Sequence, residues 1–332
     1  MKENTIAILG AGSWGTAVAI HLAHYGHRVM LWGHNPQHIM EMQHLRQNQR
    51  YLPAILFPDS LYPTLNLADC LDQAAITIIA VPSHAFADLL SQLDKPQNGL
   101  AWLTKGLDPS TNYLLSELVA KRWGESYPVA AIAGPSFAKE VATLLPTALT
   151  LAGNHLPLQK HLQSLLHQQN LRVYLSTDII GVQLCGAVKN VLAIACGISD
   201  GLGFGANAKA ALITRGLAEM SRLGLSLGAR EETFIGLAGV GDLVLTCTDN
   251  QSRNRRFGLH LGQGVNLSEA ESQIGQVVEG KYNATQVCNL ARQYHVEMPI
   301  CMQVEALLQN KVTPIQAVNN LMSRSARDES PC

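Results

Sequence analysis

From residue 5 to about 176, short β-branched and apolar runs alternate with longer stretches whose apolar positions recur every three or four residues. Strand-like runs at 5–9, 28–32, 75–81 and 100–104 are followed by helix-like stretches at 13–25, 36–47, 84–93 and 111–123. A pattern that switches between these two periods predicts βαβ units and a mainly parallel sheet. Three more strand-like runs follow, at 129–133, 147–152 and 171–175. Beyond 177 the texture changes, because long apolar helical segments at 182–197, 207–227, 286–294, 300–309 and 314–326 arrive with no strand pattern between them. The expected architecture is α/β over residues 1–180, then an all-α domain over 181–326, with the boundary near 176–186 and a loose tail at 327–332.

The length of 332 residues suits two such domains, each able to bury a core. Lys and Arg number 24 against 25 Asp and Glu, so the net charge is −1, and charged residues make up only 15% of the chain. A near-neutral, charge-poor surface argues against a nucleic-acid partner and suits apolar helices that meet across a homodimer. The seven cysteines are odd in number and include no C-x-x-C pair, which predicts neither a disulfide framework nor a thiolate metal site and fits a reducing, cytoplasmic setting. His21, His24 and His27 lie close together, but no H-E-x-x-H occurs and no paired acids sit nearby. They read as surface histidines on an amphipathic helix, and no metal is expected. No run of 18 apolar residues occurs, so no membrane span is expected.

Directly after the first strand-like run stands Gly10-Ala11-Gly12-Ser13-Trp14-Gly15, a G-x-G-x-x-G that opens a helix-like stretch. In that context the spacing reads as a Rossmann-type dinucleotide site rather than an ordinary glycine turn. Gly10 permits the tight turn, Gly12 lets a pyrophosphate approach bare backbone, Gly15 lets helix and strand close up, and the helix N-terminus offers N–H donors. An NAD-preferring site ends its second strand on an acid that accepts from the ribose hydroxyls. Here that stretch is Leu31-Trp32-Gly33-His34-Asn35, and no carboxylate occurs between Glu3 and Glu41. With no acid to repel a 2′-phosphate and His34 facing that position, NADPH is expected to be accepted and favoured over NADH.

Residues 182–196 are apolar nearly all round, the mark of a buried helix, yet Lys189 sits in their middle. Its helical neighbours at three and four positions are Cys185, Gly186, Leu192 and Ala193, so no acid on the same helix can neutralise it. A buried ammonium needs a partner from elsewhere, and burial tunes it toward proton transfer. The bland alternative is a lysine that snorkels to the surface. In Gly239-Val240-Gly241-Asp242-Leu243, Asp242 is either that partner or simply the N-cap of the next helix. In Gln251-Ser252-Arg253-Asn254-Arg255-Arg256 a capping serine precedes three arginines that oppose the helix dipole. A bound phosphate resolves that conflict; a solvated loop is the alternative, and the absence of an aromatic platform disfavours nucleic acid.

Together with Thr104-Lys105-Gly106-Leu107, Gly134-Pro135-Ser136-Phe137-Ala138 and Thr246-Cys247, these motifs resemble, in number and order, the bacterial type of NAD(P)-dependent glycerol-3-phosphate dehydrogenase. The likeness runs from the first strand to the helices near residue 326. It implies reversible reduction of dihydroxyacetone phosphate to sn-glycerol 3-phosphate, a precursor of glycerophospholipids, with NADPH or NADH. It also implies that Lys189 transfers the proton, and that Lys105, Gly134, Ser136, Lys189, Asp242, Ser252, Arg253 and Asn254 contact substrate. Gly10, Gly12, Ser13, Trp14, Gly15, His34, Lys105, Ala138, Arg253, Val277 and Glu279 would contact cofactor; the last two carry no signal apart from the resemblance. A related hydroxy-acid or sugar-acid dehydrogenase is the nearest alternative, which the Ser252-Arg253-Asn254 turn disfavours. A non-catalytic dinucleotide sensor leaves Lys189 and Asp242 without a purpose.

Overall fold

The computed structural model describes residues 5–72 and 74–325, so the expected tail at 327–332 lies outside the described residues. The chain divides into two compact units, one made of Met1–Lys105 with Leu115–Ile179 and the other of Gly106–Leu114 with Ile180–Cys332. The division is not a single cut in the chain, because Leu107 and Leu114 pair in a short bridge and are buried in the core of the helical unit.

The first unit holds strands β1 (Thr5–Leu9), β2 (Val29–Trp32), β3 (Gln47–Asn48), β4 (Leu52–Leu56), β5 (Leu61–Thr64), β6 (Ala74–Ile79), β7 (Leu100–Trp102), β8 (Val129–Ala133), β9 (Thr147–Gly153) and β10 (Leu171–Ser176). Its helices are α1 (Ser13–His24), α2 (Pro36–Leu45), α3 (Leu67–Asp72), α4 (Phe86–Gln92), α5 (Leu115–Trp123), α6 (Ala138–Ala142) and α7 (Leu156–Leu166). Eight strands form one sheet in the order β10-β9-β8-β7-β6-β1-β2-β5. All neighbours pair in parallel except β8 and β9, so β9 and β10 run against the rest. The chain folds this way because β1, β6 and β8 are apolar except for Thr5 and Thr77, as suits strands covered on both faces. The hydrophobic pattern does not announce β5, which carries Pro63 and is tolerated at the sheet edge beside β2. The helix expected over 36–47 stops at Leu45, where Arg46 turns left-handed with φ 51°. One expectation fails outright: His21 is not on the surface. It is buried in α1, and its Nε2 meets the Leu166 carbonyl at 2.9 Å. Burial holds its pKa below the ordinary histidine value, against the opposing effect of that carbonyl.

The second unit is helical: α8 (Ile179–Gly201), α9 (Ala206–Ser226), α10 (Glu231–Phe234), α11 (Asp242–Thr248), α12 (Arg253–Gly262), α13 (Leu267–Ile274), α14 (Glu279–Gln293), α15 (Pro299–Leu308) and α16 (Pro314–Met322). Its spine is α8. That helix is long and apolar enough to cross a membrane, but 89% of its most apolar stretch is buried inside the protein. It is a core helix, packed all round by the other helices of this unit.

A buried carboxylate fastens α9 to α15. Pro299 has no N–H to offer, and the next two donors of α15, Ile300 N at 2.7 Å and Cys301 N at 3.2 Å, go to the Glu219 side chain. Burial raises the Glu219 pKa from 4.5 to about 7, with the two backbone donors and Arg222 opposing only in part. A carboxyl whose folded pKa is raised lends its full stability below pH 4.5 and loses it as the pH climbs through about 7. The loss amounts to about 3 kcal/mol at about 1.4 kcal/mol per unit, from 4.5 to about 7. Denaturant unfolding of Glu219→Gln should therefore fall off less than wild type between pH 5 and 8, and curves that stay parallel would refute the assignment.

Candidate active site

In the first unit the predicted cofactor residues gather at the carboxyl ends of the strands, where open α/β sheets bind ligands. Gly10 follows β1 with φ +133°, and a Cβ there would fall 2.6 Å from the Ala80 carbonyl. A Cβ on Gly15 would strike the Gly10 carbonyl oxygen, so helix α1 and strand β1 touch backbone to backbone. Gly12 differs: a Cβ there meets nothing within 4 Å, which leaves the open approach that an anion needs. It stands as N-cap of α1 with extended backbone and no side-chain cap, so the first turn, Ser13 and Trp14 included, keeps its N–H groups for a ligand. Trp14 Nε1 is a buried donor with no partner among the described residues. These features fit a dinucleotide phosphate.

Gly33 closes on the same loop, since a Cβ there would sit 3.0 Å from the Ala11 methyl. The next residue, His34, is exposed just past the end of β2. Thr104 Oγ1 donates to the Val81 carbonyl at 2.7 Å and so ties the end of β7 to the end of β6, with half-buried Lys105 next in line. Beyond β8, Gly134 has φ +135°, a conformation that favours glycine, and Ser136 Oγ donates to its carbonyl at 2.9 Å. Ala138 opens α6.

In the second unit the buried lysine finds its acid. Lys189 does not snorkel: its side chain is 7% exposed, and Nζ donates to Asp242 Oδ1, itself 1% exposed, and to Thr246 Oγ1 at 3.0 Å. The Thr246 hydroxyl donates in turn to the Asp242 carbonyl at 2.6 Å. Asp242 is not an N-cap. The glycine-rich segment Leu237–Gly241 forms a π-helical turn that runs straight into α11, and Asp242 already has helical φ −72° and ψ −30°. Gly239 makes this possible, because a Cβ there would collide with the Phe234 backbone. Such π turns recur at functional positions because they re-aim the next side chain, and here that side chain is the lysine's partner.

Beside this triad, Ser252 caps α12, its Oγ accepting from Arg255 N at 3.2 Å. The three arginines after it separate. Arg253 remains half-exposed and donates to Gln276 Oε1 at 3.3 Å, which brings it to the segment that holds Val277 and Glu279. Arg255 turns away into Asp200 and Asn250. Asn254 Nδ2 donates to Asn190 Oδ1 at 2.9 Å, and its Oδ1 accepts from Gly280 N at 2.9 Å. Asn190 also donates to Asn283 Oδ1 at 3.2 Å. This amide network joins α8, α12 and the start of α14. Sequence reasoning gave Thr246 and Asn190 no role, although Thr246 stands in a quoted motif and Asn190 directly follows Lys189. Asn283 offered no signal.

Known protein families match both halves of the chain. Residues 5–158 match the N-terminal family of NAD-dependent glycerol-3-phosphate dehydrogenase, and residues 178–319 match its C-terminal family. The glycerol-3-phosphate dehydrogenase [NAD(P)+] of Legionella pneumophila (strain Lens) is 66% identical over 99% of this chain and 100% of its own length. That of Psychromonas ingrahamii is 52% identical, again over 99% and 100%. The crystal structure of glycerol-3-phosphate dehydrogenase from Coxiella burnetii superposes with a TM-score of 0.94 at 51% identity, covering 98% of this chain and all of that one. With both halves matched in order along a single chain, the protein belongs to the NAD(P)-dependent glycerol-3-phosphate dehydrogenase family.

Proposed function

We propose that the chain interconverts dihydroxyacetone phosphate and sn-glycerol 3-phosphate with NAD(P)H, and that Lys189 moves the proton. The observation that carries this reading is the buried Lys189, paired with Asp242 and Thr246 in the same unit as the Ser252-capped turn. When bound, the nicotinamide cofactor supplies the hydride that reduces the ketone carbon. The Lys189 ammonium donates its proton to the developing alkoxide, giving the alcohol and a neutral amine; in the oxidative direction the neutral amine accepts that proton. Asp242 offsets the burial of the ammonium and, with Thr246, fixes its direction. Positive charge on Lys189 stabilises the alkoxide-like transition state.

The first turn of α12 is proposed to hold the phosphate through its N–H groups, Ser252, Arg253 and Asn254, with Gly134 and Ser136 as further substrate contacts. Asn254 serves with one donor only, since its other amide groups are committed to Asn190 and Gly280. The G-x-G-x-x-G turn, His34, Lys105, Ala138, Arg253, Val277 and Glu279 are proposed to hold the cofactor. The missing acid after β2 supports a preference for NADPH. We also infer a cytoplasmic homodimer. The free cysteines Cys70, Cys185, Cys196, Cys247, Cys288 and Cys301 support the compartment. A largely apolar groove of about 610 Å³, lined from α8, α9, α15 and α16 with Phe204 and Met322 exposed in it, supports the dimer.

Initial rates of NADPH and NADH oxidation with dihydroxyacetone phosphate test the reading. Turnover is expected with both, faster with NADPH at low cofactor concentration. Equal or better kcat/KM with NADH would remove the role given to His34, and no turnover with either would remove the function.

A further inference from the structure

Helices α8 and α12 run side by side in the same direction with their backbones touching. Three contacts share one sequence offset of 64: Asn254 bonds Asn190, a Cβ on Gly258 would strike the Ile194 carbonyl oxygen, and one on Gly262 that of Ile198. From the other side, a Cβ on Gly197 would strike the Arg255 carbonyl oxygen and one on Gly201 that of Leu259. Four glycines thus bring the two helices to close contact and fix their register. Gly201 and Gly262 meet at the closest approach, a Cβ on Gly201 falling 2.8 Å from Gly262 Cα, and this offset of 61 sets Lys189 level with Asn250, in the loop that leads into the proposed phosphate turn.

Close packing fixes the register but not the orientation of the turn at the head of α12, and a second device does that. Asp200 lies eleven residues beyond Lys189 on α8, which is about three full turns and therefore the same face of the helix. Its carboxylate pairs with the Arg255 guanidinium and, at 3.0 Å, with Lys209 Nζ. Arg255 also donates to Asn250 Oδ1, in the loop that leads into α12, and its backbone N–H is the donor that Ser252 caps. The pair is largely buried, at 10% and 13% side-chain exposure, so water screens it little.

We propose that Asp200 is a positioning residue: through Arg255 it clamps the Ser252-Arg253-Asn254 turn in its place beside Lys189, and so selects for a ketone whose phosphate lies one methylene from the carbonyl. This rests on the phosphate role proposed above for α12. The test compares kcat/KM for dihydroxyacetone phosphate with kcat/KM for unphosphorylated dihydroxyacetone in wild type and in Asp200→Asn. The ratio cancels any loss of folded enzyme, which lowers both rates alike. It is expected to fall by about tenfold or more in Asp200→Asn and to recover in large part in Asp200→Glu. If Asp200→Asn does not fold, Arg255→Lys is read in the same way: it keeps a cation opposite Asp200 but gives up the fork that also holds Asn250, and a several-fold drop is expected. A folded variant with an unchanged ratio overturns the proposal. A wild type that does not reduce dihydroxyacetone phosphate would instead overturn the function, and this inference with it.

Discussion

Replacing Lys189 by alanine is expected to lower kcat for dihydroxyacetone phosphate reduction by about 10²- to 10⁴-fold, the range that a positioned general acid contributes. NADPH affinity should stay nearly unchanged, because the nucleotide turn is built in the other unit from Gly10, Gly12 and Gly15 and the N-terminus of α1. The substitution also takes the Lys189 cation from buried Asp242, so rates are to be normalised to the fraction of protein that binds cofactor. A readout that folding damage does not imitate is rescue by an added primary amine such as methylammonium, which can enter the space left by the side chain and return part of the rate in proportion to its concentration. Turnover close to wild type would strip Lys189 of its role. A slow variant with no amine rescue and weakened cofactor binding would mark a structural lesion.

Much of the fold was legible because its determinants are local. The largely apolar runs of β1, β6 and β8, and the apolar stretch that becomes α8, each show in a window of a few residues. The nucleotide turn was legible for the same reason, since Gly10, Gly12 and Gly15 act within six residues of chain. Lys189 stood out by contradiction, as a charge in a helix with no polar face. The reversed direction of β9 was not legible, because strand direction is set by the path of the connection through α6 and not by composition.

The rest of the site depends on contacts between residues far apart in sequence. The Lys189 and Asp242 side chains meet across 53 positions, and Asn190 and Asn283 across 93. Asp242 could be read either as the lysine's partner or as a helix cap, because glycine followed by acid is also a cap signal. Its true place depended on the close approach of Gly239 to Phe234 and on the π turn that follows, neither of which has a one-dimensional signature. The three arginines at the head of α12 formed one basic cluster on paper. Asp200, reached from another helix, Asn250 and Gln276 distinguish the anchoring Arg255 from Arg253.

Asp242→Ala is expected to destabilise the helical unit by about 3–5 kcal/mol at neutral pH, the usual cost of removing one partner from a buried ion pair. The surviving ammonium, 7% exposed, loses the carboxylate that offsets its burial. The loss should be almost specific to the charge left behind. Replacing both members by apolar residues of similar length, as in Lys189→Met with Asp242→Leu, should recover most of the stability that Asp242→Ala loses, because a buried pair is little better than a packed apolar one. All of these variants should be inactive. Denaturant unfolding of wild type, the single variants Lys189→Met and Asp242→Leu and the double variant measures the coupling directly, and single effects that simply add would show that the pair is not energetically joined. If the double variant regains stability with no activity, the ion pair is retained for proton transfer and not for folding, and evolution keeps a costly buried charge because the reaction needs a proton at that atom.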